Sequence, residues 1–108
     1  MEPSDERIFV QHGVDVTLVT FNDEEILEEQ HIKEIEERIM SVLEDSKREN
    51  MILDFCNVQF MTSAFLGVLV KIYKRVRERG GYFKLRNIDP NIYKVFEITQ
   101  LTKIFDIS

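Results

Sequence analysis

Leu53-Asp54-Phe55-Cys56-Asn57-Val58-Gln59-Phe60-Met61-Thr62-Ser63-Ala64-Phe65-Leu66-Gly67 is the stretch that decides the fold. Met51 to Phe55 is an apolar run interrupted by Asp54 and closed by Asn57, the pattern of an interior strand that stops and turns. From Phe65 to Val76 the apolar spacing becomes helical. Thr62 stands where an N-cap belongs, its oxygen able to accept a backbone N–H that the first turn leaves unpaired. Ser63 then takes the first helical position, on the surface and at the positive end of the helix dipole. A hydroxyl there either finishes the helix or carries a phosphate.

Working outward, the chain alternates strands and helices without a linker, a repeat or a low-complexity segment. Arg7 to Gln11 and Val14 to Phe21 are strand-like and joined across His12-Gly13, which predicts a hairpin. In the second strand Val14, Val16 and Leu18 alternate with Asp15, Thr17 and Val19, so one face is buried. Ile32, Ile35, Ile39 and Val42 recur at helical spacing beside Leu43, predicting an amphipathic helix from about Glu29 to Ser46. The helix that begins at Ser63 ends at Gly80-Gly81, a C-cap signal, and packs through Leu66, Leu69, Val70 and Tyr73. Tyr82 to Arg86 is the next strand. Asp89-Pro90 opens a short helix to about Ile98, burying Ile92, Val95 and Phe96. Leu101, Ile104, Phe105 and Ile107 form either a last short helix or an edge strand. The expected fold is α/β: a mixed sheet of four or five strands, its first pair antiparallel and its centre parallel, with helices mainly on one face.

The chain has 108 residues, 44% of them hydrophobic and 31% charged, which fits one globular domain with a single modest core, residues 1–6 forming a flexible N-terminus. Its longest apolar run, Phe65 to Val70, is far too short to cross a bilayer, and the first residues lack the parts of a signal peptide. Cys56 is the only cysteine, so no disulfide framework is expected and a reducing cytoplasm is the natural location. The net charge of −6 hides a segregation: Asp23 to Asp45 holds ten acidic residues against Lys33 and Arg38, and Lys71 to Lys94 holds eight basic ones against Glu78 and Asp89. Such runs read as two solvated helix faces, and their polarity favours a protein partner with a complementary field over nucleic acid.

Candidate chemical groups are few. His12, a turn residue beside Gly13, and His31 stand isolated, so no metal site is expected. Cys56 reads as a buried small hydrophobe. Asp54 caps or orients the loop that follows it. Phe65 reads as core or as an exposed anchor for a partner. With no G-x-S-x-G elbow, no phosphate-binding glycine loop and no histidine placed as a base, an enzyme using Ser63 or Cys56 as nucleophile is not expected, nor is a cofactor.

The stretch from Asp54 to Ile107, with the strand, acidic loop and Ile-stripe helix before it, resembles a STAS domain of the kind found in bacterial anti-sigma-factor antagonists. Asp54 at the strand end, Phe60-Met61 before two hydroxyls, Leu66-Gly67, Gly80-Gly81, and Val95-Phe96 followed by Leu101 and Ile104-Phe105 carry the resemblance together. It implies a protein-binding switch. The unmodified domain sequesters an anti-sigma factor that is itself a serine kinase with an ATPase-like fold, a phosphate on the turn serine breaks that complex, and a serine phosphatase can restore it. The family pattern in the turn is Phe-Met-Asp-Ser-Ser/Thr-Gly-Leu-Gly, which makes Ser63 the acceptor and Thr62, Ser63, Ala64 and Phe65 the partner-binding residues. Here Thr62 replaces the Asp, Ala64 the second hydroxyl and Phe65 the Gly. Thr62 is thereby a competing acceptor, and a non-phosphorylated module, a scaffold or an accessory subunit of a membrane transport ATPase, is the alternative.

Overall fold

The computed structural model describes residues 7–45 and 50–108; the expected flexible N-terminus and Ser46, the expected last residue of the first helix, lie outside them. A hairpin comes first. β1 (Ile8–His12) and β2 (Val16–Phe21) pair antiparallel with Ile8 opposite Phe21 and His12 opposite Thr17, so His12 ends a strand rather than sitting in the turn. β3 (Glu25–Ile26) and α1 (Glu29–Asp45) follow, then β4 (Asn50–Asp54), β5 (Phe60–Met61), α2 (Ser63–Glu78), β6 (Phe83–Arg86), α3 (Pro90–Ile98) and β7 (Asp106–Ile107). The main sheet runs β1-β2-β4-β6-β7, parallel from β2 onward. Each parallel step needs a crossover, and the three helices supply them. The chain end is both of the alternatives at once: a 3-10 turn at Leu101–Lys103 and then the edge strand.

The strand pleat sorts the two faces. Thr17, Val19 and Phe21, Met51 and Leu53, and Phe83 and Leu85 are buried and face the helices. Their neighbours Val16, Leu18, Ile52, Lys84 and Arg86 are half-exposed on the opposite face. In β2 the buried set is therefore the one containing Thr17 and Val19, and Val14 lies in the open at 98% exposure. Thr17, a polar residue on the buried side, sits 3.4 Å from the His12 ring nitrogen through its hydroxyl.

α1 buries Ile32, Ile35, Ile39 and Leu43, with Val42 only half-buried beside them. α2 buries Phe65, Leu66, Val68, Leu69, Ile72 and Val76, so its inward face is wider than the expected stripe and reaches the first turn. Val70 and Tyr73 are half-buried at its margin. Its end is a Schellman motif: the Gly81 N–H donates to Val76 O, the Gly80 N–H to Arg77 O, and Gly80 takes φ 85°, which glycine adopts without a Cβ penalty. α3 begins as expected, Asp89 accepting from the Asn91 N–H at 2.8 Å with Pro90 next; it buries Ile92 and Phe96 and leaves Val95 half-buried. The acidic and basic runs meet at the α1–α2 seam, where Lys71 pairs with Glu36 at 3.4 Å and Arg75 Nε with Glu44 at 2.9 Å. The charge segregation is thus partly spent inside the molecule, in exposed pairs that solvent screens and that add little to stability.

Candidate functional site

The connection from β4 to α2 is tied to the connection from β2 to α1 by a small second sheet that the sequence did not announce. β3 and β5 pair parallel, Glu25 opposite Phe60 and Ile26 opposite Met61. Around this ribbon Gln59 and Phe60 donate their N–H groups to Glu24 O, and Thr62 donates to Ile26 O at 3.2 Å. The backbone is thereby held against the β3 segment up to the residue before Ser63. The turn upstream is closed by Val58 N–H to Phe55 O at 2.9 Å and by the Asn57 amide donating to Phe21 O at 3.0 Å.

Asp54 anchors the strand end. One carboxylate oxygen accepts from the Cys56 N–H at 2.9 Å and the Asn87 amide at 3.1 Å; the other accepts from Arg86 Nε at 3.1 Å, directly across the strand pair. Burial alone would raise its pKa, but the hydrogen bonds from Asn87, the Cys56 N–H and Arg86 outweigh it and hold the carboxyl below its ordinary value. Asp54 thus orients the loop and is occupied in doing so. Cys56 departs from expectation: the thiol is exposed, not buried. Local desolvation, then the hydrogen bond and negative charge of Asp54, push its pKa upward, so exposure does not make it reactive.

At the site itself Thr62 is the N-cap by backbone geometry, with φ −90° and ψ 165°, but its side chain makes no capping hydrogen bond. Its Oγ1 is turned inward, buried and without a partner, and the Phe65 N–H is accepted by the Thr62 carbonyl instead. Ser63 and Ala64 are exposed at the first two positions of α2. Phe65 does not belong to the exposed patch. It is fully buried, its ring 5.5 Å from Phe21 and 6.5 Å from Phe55, and these two lie 4.8 Å apart. The apolar ring turns into the core from the first turn because β2, β4 and α2 converge there. Among the expected partner-binding residues, Thr62, Ser63 and Ala64 remain at the surface region and Phe65 is withdrawn from it.

Gly67 joins the exposed face one turn on, and a methyl group placed there would meet nothing within 4 Å. Mid-helix glycine lowers helix stability, so the signal was a propensity loss with no internal packing to explain it. The histidines lie elsewhere: His31 faces Glu28 at 3.8 Å and so is not isolated. Among the described residues no group of three or more His, Cys, Asp or Glu side chains is placed to hold a metal ion, and no helix is long and apolar enough to cross a membrane.

A parallel-centred sheet with one helix-covered face and a serine at the strand-to-helix turn defines the class. The STAS domain family model matches residues 10–108, and the chain belongs to that family. Over 52 residues it is 42% identical to the anti-sigma-B factor antagonist of Bacillus subtilis (strain 168), a match covering 48% of each chain. The match with an anti-sigma F factor antagonist of Paenibacillus polymyxa is 32% over 59 residues, covering 55% of this chain and 50% of that one. The chain thus spans about half the length of the curated relatives it matches. In structure it resembles an anti-sigma-factor antagonist (STAS) domain protein from Planctomyces limnophilus, with a TM-score of 0.83 at 24% identity, covering 93% of this chain and 87% of that one.

Proposed function

We propose that this chain is an anti-sigma-factor antagonist, a binding switch that holds an anti-sigma factor while Ser63 is unmodified and releases it when Ser63 is phosphorylated. The partner is then a serine kinase of the ATPase-like kind, a phosphatase resets the switch, and the protein works in the cytoplasm by binding rather than catalysis. The observation that carries the reading is the placement of the two hydroxyls. Ser63 is exposed at the first position of α2, while the Thr62 oxygen is buried. A kinase reaches the first and not the second, which favours Ser63 as acceptor although the usual Asp is absent. The names of the Bacillus subtilis and Paenibacillus polymyxa relatives point the same way.

The physics suits a switch that acts on binding alone. A phosphate adds roughly −1.5 to −2 charges and three acceptor oxygens. The free N–H groups and dipole of the α2 N-terminus tolerate it, so folding is spared. A partner packed over Ser63, Ala64 and Gly67 would bury that charge unpaired, which costs about 3–5 kcal/mol. The exposed glycine supports close approach of such a partner. The test is site mapping: incubation with the kinase and ATP, then fragment mass spectrometry, is expected to place one phosphate on Ser63. Phosphate on Thr62 alone would overturn the acceptor, and phosphate on neither would overturn the switch.

A further inference from the structure

With Phe65 drawn into the core, the exposed start of α2 offers a partner only serine, alanine and glycine. Stable interfaces bury roughly 800 Å² per partner and are held by aromatic and aliphatic anchors, which these small side chains do not provide. Two exposed large apolar residues stand at the β3–β5 ribbon that leads into Ser63: Phe60 on β5 at 51% and Leu27, just after β3, at 45% exposure. Together with Met61, Ile92 and Val95 they line an open groove of about 390 Å³ between the ribbon and α3. Met61, in the groove wall, is two residues from Ser63, so a protein seated on the serine reaches the groove without a gap. Among the described residues that line the groove, Glu25 alone is charged. Glu24 and Glu28, both exposed, flank the same short strand.

We infer that this groove is a second contact for the partner over Ser63 and takes an apolar side chain flanked by lysine or arginine. The apolar floor supplies the binding surface, and the glutamates select the sign of the flanks, since like charge against that rim is repelled. The inference rests on the proposed function only in naming whose side chain fills the groove. Phe60, not Phe65, is then the aromatic anchor of the interface.

The test needs no knowledge of the partner. A short synthetic peptide with leucines at helical spacing and lysines between them is titrated into the isotope-labelled protein. Shifts are expected at Leu27, Met61, Ile92 and Val95. Phe60→Ala should weaken binding at least about tenfold and Glu25→Lys should weaken it and flatten its salt dependence. Both positions are exposed, and thermal melts of the two variants check that the fold is intact. A glutamate version of the peptide that binds equally well, shifts confined to other surfaces, or a folded Phe60→Ala variant that binds like the wild type would each overturn the inference. Those results leave the mapping of phosphate on Ser63 untouched, and a failure to find that phosphate leaves the peptide result standing.

Discussion

Asp54 is a nearly buried carboxylate whose hydrogen-bond donors come from Cys56 in its own loop, Arg86 at the end of β6 and Asn87 just after it. Because its pKa is lowered in the folded state, the stabilisation it contributes is fully present above the unfolded value of about 3.9 and is lost as pH falls through the lower folded value. The Asp54 contribution should therefore leave melting temperatures unchanged between neutral pH and about pH 4 and lower them below about pH 4, and Asp54→Asn should flatten that acid limb. An unchanged acid slope would mean the carboxylate is not linked to folding. The same carboxylate governs its neighbour. Alkylation of Cys56 by iodoacetamide at mildly alkaline pH should run slower than that of a free thiol and accelerate in Asp54→Asn, the reverse of what exposure alone would give. Phe65 is packed at the core end of α2. Phe65→Ala should cost about 3–5 kcal/mol in denaturant unfolding, because it leaves a cavity beside the packed rings of Phe21 and Phe55. A near-neutral value would return Phe65 to the surface.

Among the elements, α2 carries most of the account. Its one exposed interior glycine gives a prediction in which stability and binding move oppositely. Gly67→Ala should stabilise the fold by about 0.5–1 kcal/mol, since the methyl meets open space. It should also weaken the proposed complex with an anti-sigma factor if a partner backbone lies against that turn. Stabilisation with unchanged affinity would remove Gly67 from the interface. The helices were legible in the sequence because their stripes repeat over several turns and their ends carry strong signals, Asp89-Pro90 and Gly80-Gly81. β2 was harder: Val16 and Leu18 on one side compete with Val19 and Phe21 on the other, and buried Thr17 disguises the inward face. The β3–β5 ribbon was invisible, since two-residue strands set far apart in the chain leave no period to read. Ser63 could be placed from the cap pattern alone. The inward turn of Thr62 Oγ1 and the burial of Phe65 could not, because both depend on β2 and β3 closing over the first turn of α2.

For the whole molecule, the charge segregation that looked like a partner-facing field is partly consumed where α1 meets α2. What remains distinctive is one pole, where the β3–β5 ribbon, the loop after Asp54 and the N-terminus of α2 come together around an exposed serine. Ser63 projects from that pole while the first turn of α2 is anchored in the core through Phe65, so under the proposed switch a charge at Ser63 would alter recognition without disturbing the core. The most direct measurement is the affinity of the anti-sigma factor for wild type, Ser63→Ala and Ser63→Asp, with melting temperature recorded for each. The account predicts that Ser63→Ala binds like the wild type, while Ser63→Asp loses at least about a hundredfold, the equivalent of about 3 kcal/mol, and melts within a few degrees of it. Ser63→Asp binding as tightly as the wild type, with the fold intact, would contradict it.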